Sequence, residues 1–177
     1  GKETGFNNWL RKIGESPVIF NPEMTDKTAQ QVELHLYNKG YFNAAVEDSV
    51  AYKRRKANVY YKIDAGEPYT IRNIDYFFAD AGLSEYIMND SIPSMLDEGM
   101  QFDVDDLQSE RIRIENILRN EGYFNFNRDY VYYEVDSSLG SHQVDILLGV
   151  KNYPLKDSMG RVLHTRHQVY KIRDVHI

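Results

Sequence analysis

A short segment of this chain occurs twice, and the repeat limits the folds that the chain can adopt. The sequence Asn-Lys-Gly-Tyr-Phe-Asn at residues 38–43 returns as Asn-Glu-Gly-Tyr-Phe-Asn at residues 120–125. A second pair, Tyr-Thr-Ile-Arg at 69–72 and Tyr-Lys-Ile-Arg at 170–173, repeats elsewhere. Self-similarity of this kind marks a repeated structural unit. Because the repeated residues are not reactive ones, the pattern indicates a binding scaffold rather than an enzyme with a single catalytic pocket.

Composition excludes several classes of protein. The 177 residues are enough for one domain or two small ones. The formal net charge of −6 disfavours nucleic acid as a partner, since nucleic-acid binding needs a basic face. The chain has no cysteine, so it can form neither a disulfide framework nor a thiolate metal site. No apolar run is long enough to span a bilayer as a helix.

The repeated segments end two predicted helices. Asn21 and Pro22 form a helix start, in which Asn caps the free N–H groups and Pro fits the first turn. Asp103 stands at the matching position of the second helix. Gly40 and Gly122 follow the helices, where glycine adopts the left-handed conformation that terminates them.

Strands are predicted on both sides of these helices. Alternating apolar residues predict a hairpin from segments 46–52 and 59–63, and a second hairpin from 130–135 and 144–150. A further strand is expected over 69–77. The predicted unit is strand, helix, helix, strand, strand, with an irregular helical stretch between the opening strand and the capped helix.

We therefore predict an α+β chain of tandem modules, each a β-α-α-β-β unit with a three-stranded mixed sheet covered by two helices. Residues 1–67 form a module without an obvious opening strand, and 68–152 form a complete one. Residues 153–168 are a polar connection of unexplained length, and 169–177 are the opening strand of a following module.

This order of elements resembles the polypeptide-transport-associated (POTRA) domain, and is most similar to the arrays of the BamA/TamA-type outer-membrane insertase superfamily, also called bacterial surface antigens. A stretch from Trp9 to Pro17 resembles members from Bacteroidetes-type bacteria. The residues that carry the resemblance are Gly40, Tyr41 and Phe42, then Gly122, Tyr123 and Phe124, the Gly99-x-x-Phe102 helix entry, and Tyr-x-Ile-Arg at 69 and 170.

The resemblance implies a periplasmic segment of an outer-membrane protein, ahead of the protein's own C-terminal outer-membrane barrel. Its implied partners are unfolded outer-membrane proteins and periplasmic accessory proteins or lipoproteins, and it implies no catalytic residue, cofactor or metal. The expected mechanism is β-augmentation, in which a client strand pairs with an exposed sheet edge. The predicted edge strand consists of Asp129, Tyr130, Val131, Tyr132, Tyr133, Glu134 and Val135.

Several finer expectations accompany this interpretation. Tyr41, Phe42, Tyr123 and Phe124 are expected in the core, as a wedge between helix and sheet. Proline at Val131 is expected to remove a backbone donor from the edge. Segment 169–177 is expected to pair with a neighbouring molecule, which would give strand-mediated self-association.

Two alternative functions stay open. One is a TamA-like or two-partner-secretion scaffold with different cargo. The other is a metal-dependent enzyme that uses the acids near Asp103, or His164 and His167, although helix capping and a solvated loop explain these residues more simply.

Overall fold

The computed structural model of the chain describes residues 19–54, 56–89 and 93–174. The segment from Trp9 to Pro17, which carries part of the family resemblance, lies outside the described residues.

The first module contains one long helix and one hairpin. Helix α1 spans Pro22–Asn38, and the Asn21 side chain caps it by accepting a hydrogen bond from the Glu23 N–H at 3.0 Å. Strands β1 (Ala45–Lys53) and β2 (Lys56–Asp64) form an antiparallel pair. The Glu33 carboxylate accepts the Val46 N–H at 2.8 Å, which fixes the helix to the first strand.

The second module has all five predicted elements. Strand β3 (Thr70–Phe78) is followed by a 3₁₀ turn (Ala81–Leu83), the short helix α2 (Ser84–Ile87) and the long helix α3 (Val104–Asn120). A second 3₁₀ turn (Arg128–Tyr130) leads into β4 (Val131–Asp136) and β5 (Gln143–Val150). The strand order is β3-β5-β4, with β3 parallel and β4 antiparallel to β5. The α+β class with a three-stranded mixed sheet is confirmed.

The core of the second module lies between one face of this sheet and the two helices. Ile114 and Leu118 of α3 are fully buried against Leu148 of β5, and Leu83 and Ile87 close the same cluster. Alternation along the central strand β5 explains the arrangement, because every second side chain points to the same face.

A buried ion pair within α3 holds the irregular segment in place. Arg113 Nε donates to Glu110 Oε2 at 2.8 Å, and both side chains are almost completely buried. The same Glu110 oxygen accepts the Met95 N–H at 2.9 Å, while Arg113 Nη2 donates to the Ile87 carbonyl at 3.3 Å. Sequence periodicity did not reveal this pair, because both residues are charged and read as solvent-facing.

The connection after β5, whose length the sequence left unexplained, contains a hairpin. Strands β6 (Tyr153–Lys156) and β7 (Val162–Thr165) pair antiparallel, and the Asp157 carboxylate organises the turn by accepting the Arg161 N–H at 2.9 Å. The sequence signal for this hairpin was Gly160 in the turn, with the apolar residues Leu155 before it and Val162 after it.

His167 docks this hairpin on the second module. The backbone N–H of His167 donates to the buried Asp80 carboxylate at 3.1 Å, and the ring Nε2 donates to the Lys151 carbonyl at 2.9 Å. The ring also packs on Phe126 and Tyr130, with centroids 5.0 and 4.9 Å away.

The expected opening strand at 169–177 is described only as far as residue 174, and its place in a following module stays a prediction. Residues 169–174 form no strand, because no strand partner lies alongside them among the described residues. The segment is nevertheless anchored, since Tyr170 donates its N–H to the Gly122 carbonyl at 2.8 Å.

Candidate functional site: a free strand edge and an inter-module joint

Strand β4 lies at the edge of the three-stranded sheet, with β5 on one side only. Its register pairs Tyr132 with Gly149, Tyr133 with Leu148 and Val135 with Ile146. Among the described residues no strand adjoins the other side of β4, so its outward backbone groups form an open edge.

The register shows which backbone groups face outward. The Lys151 N–H donates to the Tyr130 carbonyl at 2.9 Å, which marks a hydrogen-bonded pair of the ladder. Such pairs alternate along antiparallel strands. Tyr132 and Glu134 therefore bond to β5, whereas the N–H and C=O groups of Tyr133 and Val135 point away from it.

The first residues of the predicted edge have other roles. Asp129 and Tyr130 belong to the 3₁₀ turn, where the Asn127 side chain accepts the Asp129 N–H at 2.9 Å. The Val131 N–H donates to the Arg128 carbonyl and the Val131 side chain is buried. The expectation that proline at Val131 would remove a free edge donor is therefore wrong, because that donor is already used.

The opposite edge of the sheet is less accessible. At the start of β3, the Ile71 N–H donates to Met100 O at 2.8 Å, and Ile71 O accepts the Gly99 N–H at 2.7 Å. The Phe102 N–H donates to Tyr69 O at 2.9 Å. The chain leading into α3 thus covers this part of β3, and β4 is the more open of the two edges.

The outer face of the sheet beside β4 has an apolar and an acidic end. Tyr132 lies over Gly149, and a Cβ on that glycine would come within 2.1 Å of the ring. Glu134, Asp136 and Asp145 lie toward the other end. A hydrogen bond from Arg72 lowers the pKa of Asp145, and hydrogen bonds from Ser138 lower the pKa of Asp136, so both carboxylates are charged at neutral pH.

Two of the candidate metal ligands, His167 and Asp103, have structural roles. His167 is buried and hydrogen-bonded, whereas His164 is exposed on β7. The described parts of the chain contain no cluster of three or more His, Cys, Asp and Glu residues suited to a metal ion. Asp103 caps α3 by accepting the Asp105 N–H at 2.9 Å, as the capping prediction required.

The first repeated glycine forms a close joint between the two modules. Gly40 has φ of +87°, and its carbonyl accepts the Tyr69 N–H at 2.8 Å. A Cβ at this position would lie 2.6 Å from the Phe102 carbonyl oxygen. Glycine is therefore required both by the backbone conformation and by the approach of the second module.

Aromatic contacts complete this joint. The Phe42 ring lies 4.7 Å from Tyr69 and 5.2 Å from Phe102, measured between centroids. Both partners come from the second module, and Tyr37 of α1 packs on the remaining side at 4.7 Å. Phe42 thus links two modules rather than filling the core of one.

A charged clamp lies next to the aromatic cluster. Lys39 Nζ donates to Asp103 at 2.7 Å and to Asp105 at 2.8 Å, and the Gln101 side chain donates to the Lys39 carbonyl at 2.7 Å. The hydrogen bonds to the two carboxylates raise the pKa of Lys39. Burial alone would raise the pKa of Asp103, but hydrogen bonds from Lys39 and the Asp105 N–H outweigh it and lower that pKa.

The core prediction for the repeated aromatics is wrong for Phe124. Tyr123 is buried, and Tyr41 and Phe42 are partly buried, but the Phe124 side chain is 67% exposed. The physical reason is that Phe42 is covered mainly by the following module. Among the described residues, the ring contacts of Phe124 are limited to Tyr170 at 6.5 Å and the Arg119 guanidinium at 5.9 Å.

Comparison with known proteins finds one similar family and no similar curated protein. Residues 9–66 match the family model described as "POTRA: Surface antigen variable number repeat". No curated protein matches the chain. Among the described residues, none of the helices has the length and apolar character of a membrane span.

Solved structures similar to the chain include two BamA proteins and an Omp85. The POTRA3-5 segment of Haemophilus influenzae BamA is 21% identical, with a TM-score of 0.49, over 75% of this chain and 51% of that one. Haemophilus ducreyi BamA lacking POTRA domains 1-3 is 18% identical, with a TM-score of 0.44, over 83% and 26%. POTRA1-3 of Anabaena Omp85 is 14% identical, with a TM-score of 0.35, over 81% and 55%.

This chain therefore spans about half the length, or less, of the solved chains to which it is similar. The POTRA resemblance inferred from the repeated Gly-Tyr-Phe segments is confirmed by the family match, which covers residues 9–66.

Proposed function

We propose that this chain is a periplasmic scaffold of an outer-membrane protein assembly or translocation machine, and that it binds extended client strands at the free edge of β4. The observation that carries the proposal is the outward direction of the Tyr133 and Val135 backbone groups on an edge strand. The POTRA family match supports the scaffold role, and the clients would be unfolded outer-membrane proteins.

The exposed part of the edge lacks the usual protection against strand pairing. Edge strands are commonly blunted by proline, by an inward-pointing charge or by a bulge. The pairing of β4 with β5 is continuous from Val131 to Asp136, and the strand contains no proline. Its charges, Glu134 and Asp136, lie on the exposed face and leave the backbone accessible.

Backbone pairing suits a scaffold with many clients. Main-chain hydrogen bonds supply affinity whatever the client sequence, and side-chain contacts add only modest selectivity. Tyr132, packed over Gly149, offers an aromatic surface beside the edge, and the Lys151 ammonium lies 5.4 Å from its ring. An alternating apolar and polar strand, the pattern of outer-membrane barrels, would fit this surface. Accessory proteins or lipoproteins that present an extended segment could use the same edge.

The sharpest test uses Val135→Pro. This position has an outward N–H and a side chain that is 39% exposed, so proline removes one edge donor without emptying the core. The matched control is Val135→Thr, which keeps the N–H and a β-branched side chain.

The probe is a ten-residue peptide of alternating apolar and polar residues, titrated by NMR. We expect affinity to fall about tenfold in Val135→Pro, the effect of losing about 1.4 kcal/mol from one backbone hydrogen bond. Val135→Thr should bind like the parent. Equal affinity of the peptide for the parent and for a folded Val135→Pro variant would refute pairing at this edge.

A further inference from the structure

Gly122 and Tyr170 repeat part of the joint that Gly40 and Tyr69 form between the two modules. Tyr69 and Tyr170 donate their N–H groups to Gly40 O and Gly122 O, respectively, each at 2.8 Å. Gly122 has φ of +93°, and a Cβ there would lie 3.0 Å from the Tyr170 carbonyl oxygen. The positive φ and the hydrogen bond to the carbonyl thus correspond at the two glycines, although residues 169–174 form no strand.

The aromatic contacts correspond only in part. Phe42 contacts Tyr69, and Phe124 contacts Tyr170. Phe42 also contacts the rings of Tyr37 and Phe102, whereas Phe124 has the Arg119 guanidinium in place of Tyr37 and no counterpart of Phe102 among its described contacts. Phe124 and Tyr170 are consequently 67% and 51% exposed, which leaves an apolar surface where the first joint is closed.

The charge beside this surface is reversed. Glu121 occupies the position of Lys39, which in the first joint binds Asp103 and Asp105 at the N-terminus of α3. A helix entry with the same acids would place like charges together at Glu121. Arg119 does not neutralise this difference, because its guanidinium lies over the Phe124 ring and within 3.8 Å of Glu115 on its own helix.

We propose that Gly122, Phe124 and Tyr170 form a docking surface for a further module of the same kind, and that Glu121 selects which module docks. The occupant presents an aromatic side chain in the position of Phe102, followed by a helix whose first turn carries a cation instead of the acids of α3. Residue 39 or 121 is thus the specificity-determining position of each joint. A lysine at this position attracts a helix with acids in its first turn, whereas a glutamate repels such a helix and attracts one with a cation there.

The surface is separate from the proposed client edge. Tyr133 and Val135 are on β4, whereas Glu121, Gly122 and Phe124 precede the 3₁₀ turn that leads into that strand. Failure of client binding would therefore leave this inference intact, and the reverse also holds.

The test uses the full chain and two synthetic peptides. The acidic peptide copies residues 97–106, the segment that closes the first joint. The basic peptide has serine at the position of Asp103, which keeps a capping side chain, and lysine at the positions of Asp105 and Asp106. Glutamine replaces Asp97 and Glu98, so that the peptide has no acidic side chain. NMR shifts of the Gly122, Phe124 and Tyr170 amides report binding.

We expect the basic peptide to bind the parent chain about tenfold more tightly than the acidic one at low salt, with the difference shrinking at high salt. The variant Glu121→Lys should prefer the acidic peptide. Glu47→Lys makes the same change in net charge on an exposed position of β1 and should keep the parent's preference. Peptides with alanine in place of the phenylalanine should lose binding.

Three results would overturn the proposal. One is that neither peptide shifts the three amides at millimolar concentration. Another is that parent and Glu121→Lys share one preference. The third is that the shifts fall instead on Tyr133 and Val135, which would mean that the peptides bind as strands.

Discussion

Replacing Gly40 by alanine tests two reasons for a glycine at this position, which are its positive φ and the close approach of the Phe102 carbonyl. An alanine at φ of +87° costs about 1 kcal/mol in backbone conformation. Its Cβ would also lie 2.6 Å from the Phe102 carbonyl oxygen, so the modules must move apart by about half an ångström. That movement weakens the Tyr69 N–H hydrogen bond to Gly40, which contributes about 1 kcal/mol. The expected loss of stability is about 2–3 kcal/mol.

Gly99 supplies a matched control for this change. It has nearly the same φ, +86°, but a Cβ there would meet no atom within 4 Å. Gly99→Ala should therefore lose only the conformational part, about 1 kcal/mol. The loss of stability in Gly122→Ala should lie between those of Gly99→Ala and Gly40→Ala, since its Cβ would meet Tyr170 O and Val169 Cγ1 at 3.0 Å each.

Urea unfolding of the variants measures these differences, with NMR spectra to show that each is folded. A Gly40→Ala variant that is no less stable than Gly99→Ala would refute the argument from close approach. In that case Gly40 would be needed only to end helix α1, as the sequence predicted.

Three further predictions concern the contacts around the joint and the hairpin. Lys39→Gln should widen the distribution of distances between spin labels introduced at Ser49 and Ser137, in a chain that has no native cysteine. Because the folded pKa of Asp103 is lowered and that of Lys39 is raised, the clamp should be complete between about pH 4 and 10, and should weaken as pH falls through the folded pKa of Asp103 or rises through that of Lys39. Lys39→Gln should remove the alkaline part of this dependence and reduce the acid part, because the Asp105 N–H still donates to Asp103. Glu110→Ala should cost about 3–5 kcal/mol by urea unfolding, because the Arg113 charge stays buried without its carboxylate, and a much smaller loss would contradict the role of the pair. His167→Ala should remove hydrogen-exchange protection from β6 and β7 while the amides of β5 stay protected, and unchanged protection of the hairpin would show that His167 does not anchor it.

The sequence predicted local structure well where one residue type has one physical use. Asn21 and Asp103 were identified as helix caps, and Gly40 and Gly122 as helix terminators, because short polar side chains and left-handed backbone leave few other interpretations. The alternation in β5 likewise indicated a strand with a buried face, and the structure confirms it.

Contacts between modules could not be predicted in the same way. Phe42 and Phe124 have nearly the same local sequence, and their burial differs mainly because Tyr69 and Phe102 of another module pack closely on Phe42. The clamp of Lys39 with Asp103 joins residues 64 positions apart, and no local pattern encodes that distance. The occupied Val131 N–H was missed for a related reason, since the 3₁₀ turn before β4 gives no periodic signal.

The most direct test of the client-binding account is amide hydrogen exchange of β4 with and without an extended client peptide. Tyr133 and Val135 have outward N–H groups, and Tyr132 and Glu134 already bond to β5. If the edge accepts a strand, saturating peptide should slow exchange at Tyr133 and Val135 and leave Tyr132 and Glu134 nearly unchanged. Slowed exchange confined to the helices, or no change at Tyr133 and Val135 when the peptide is bound, would contradict the account.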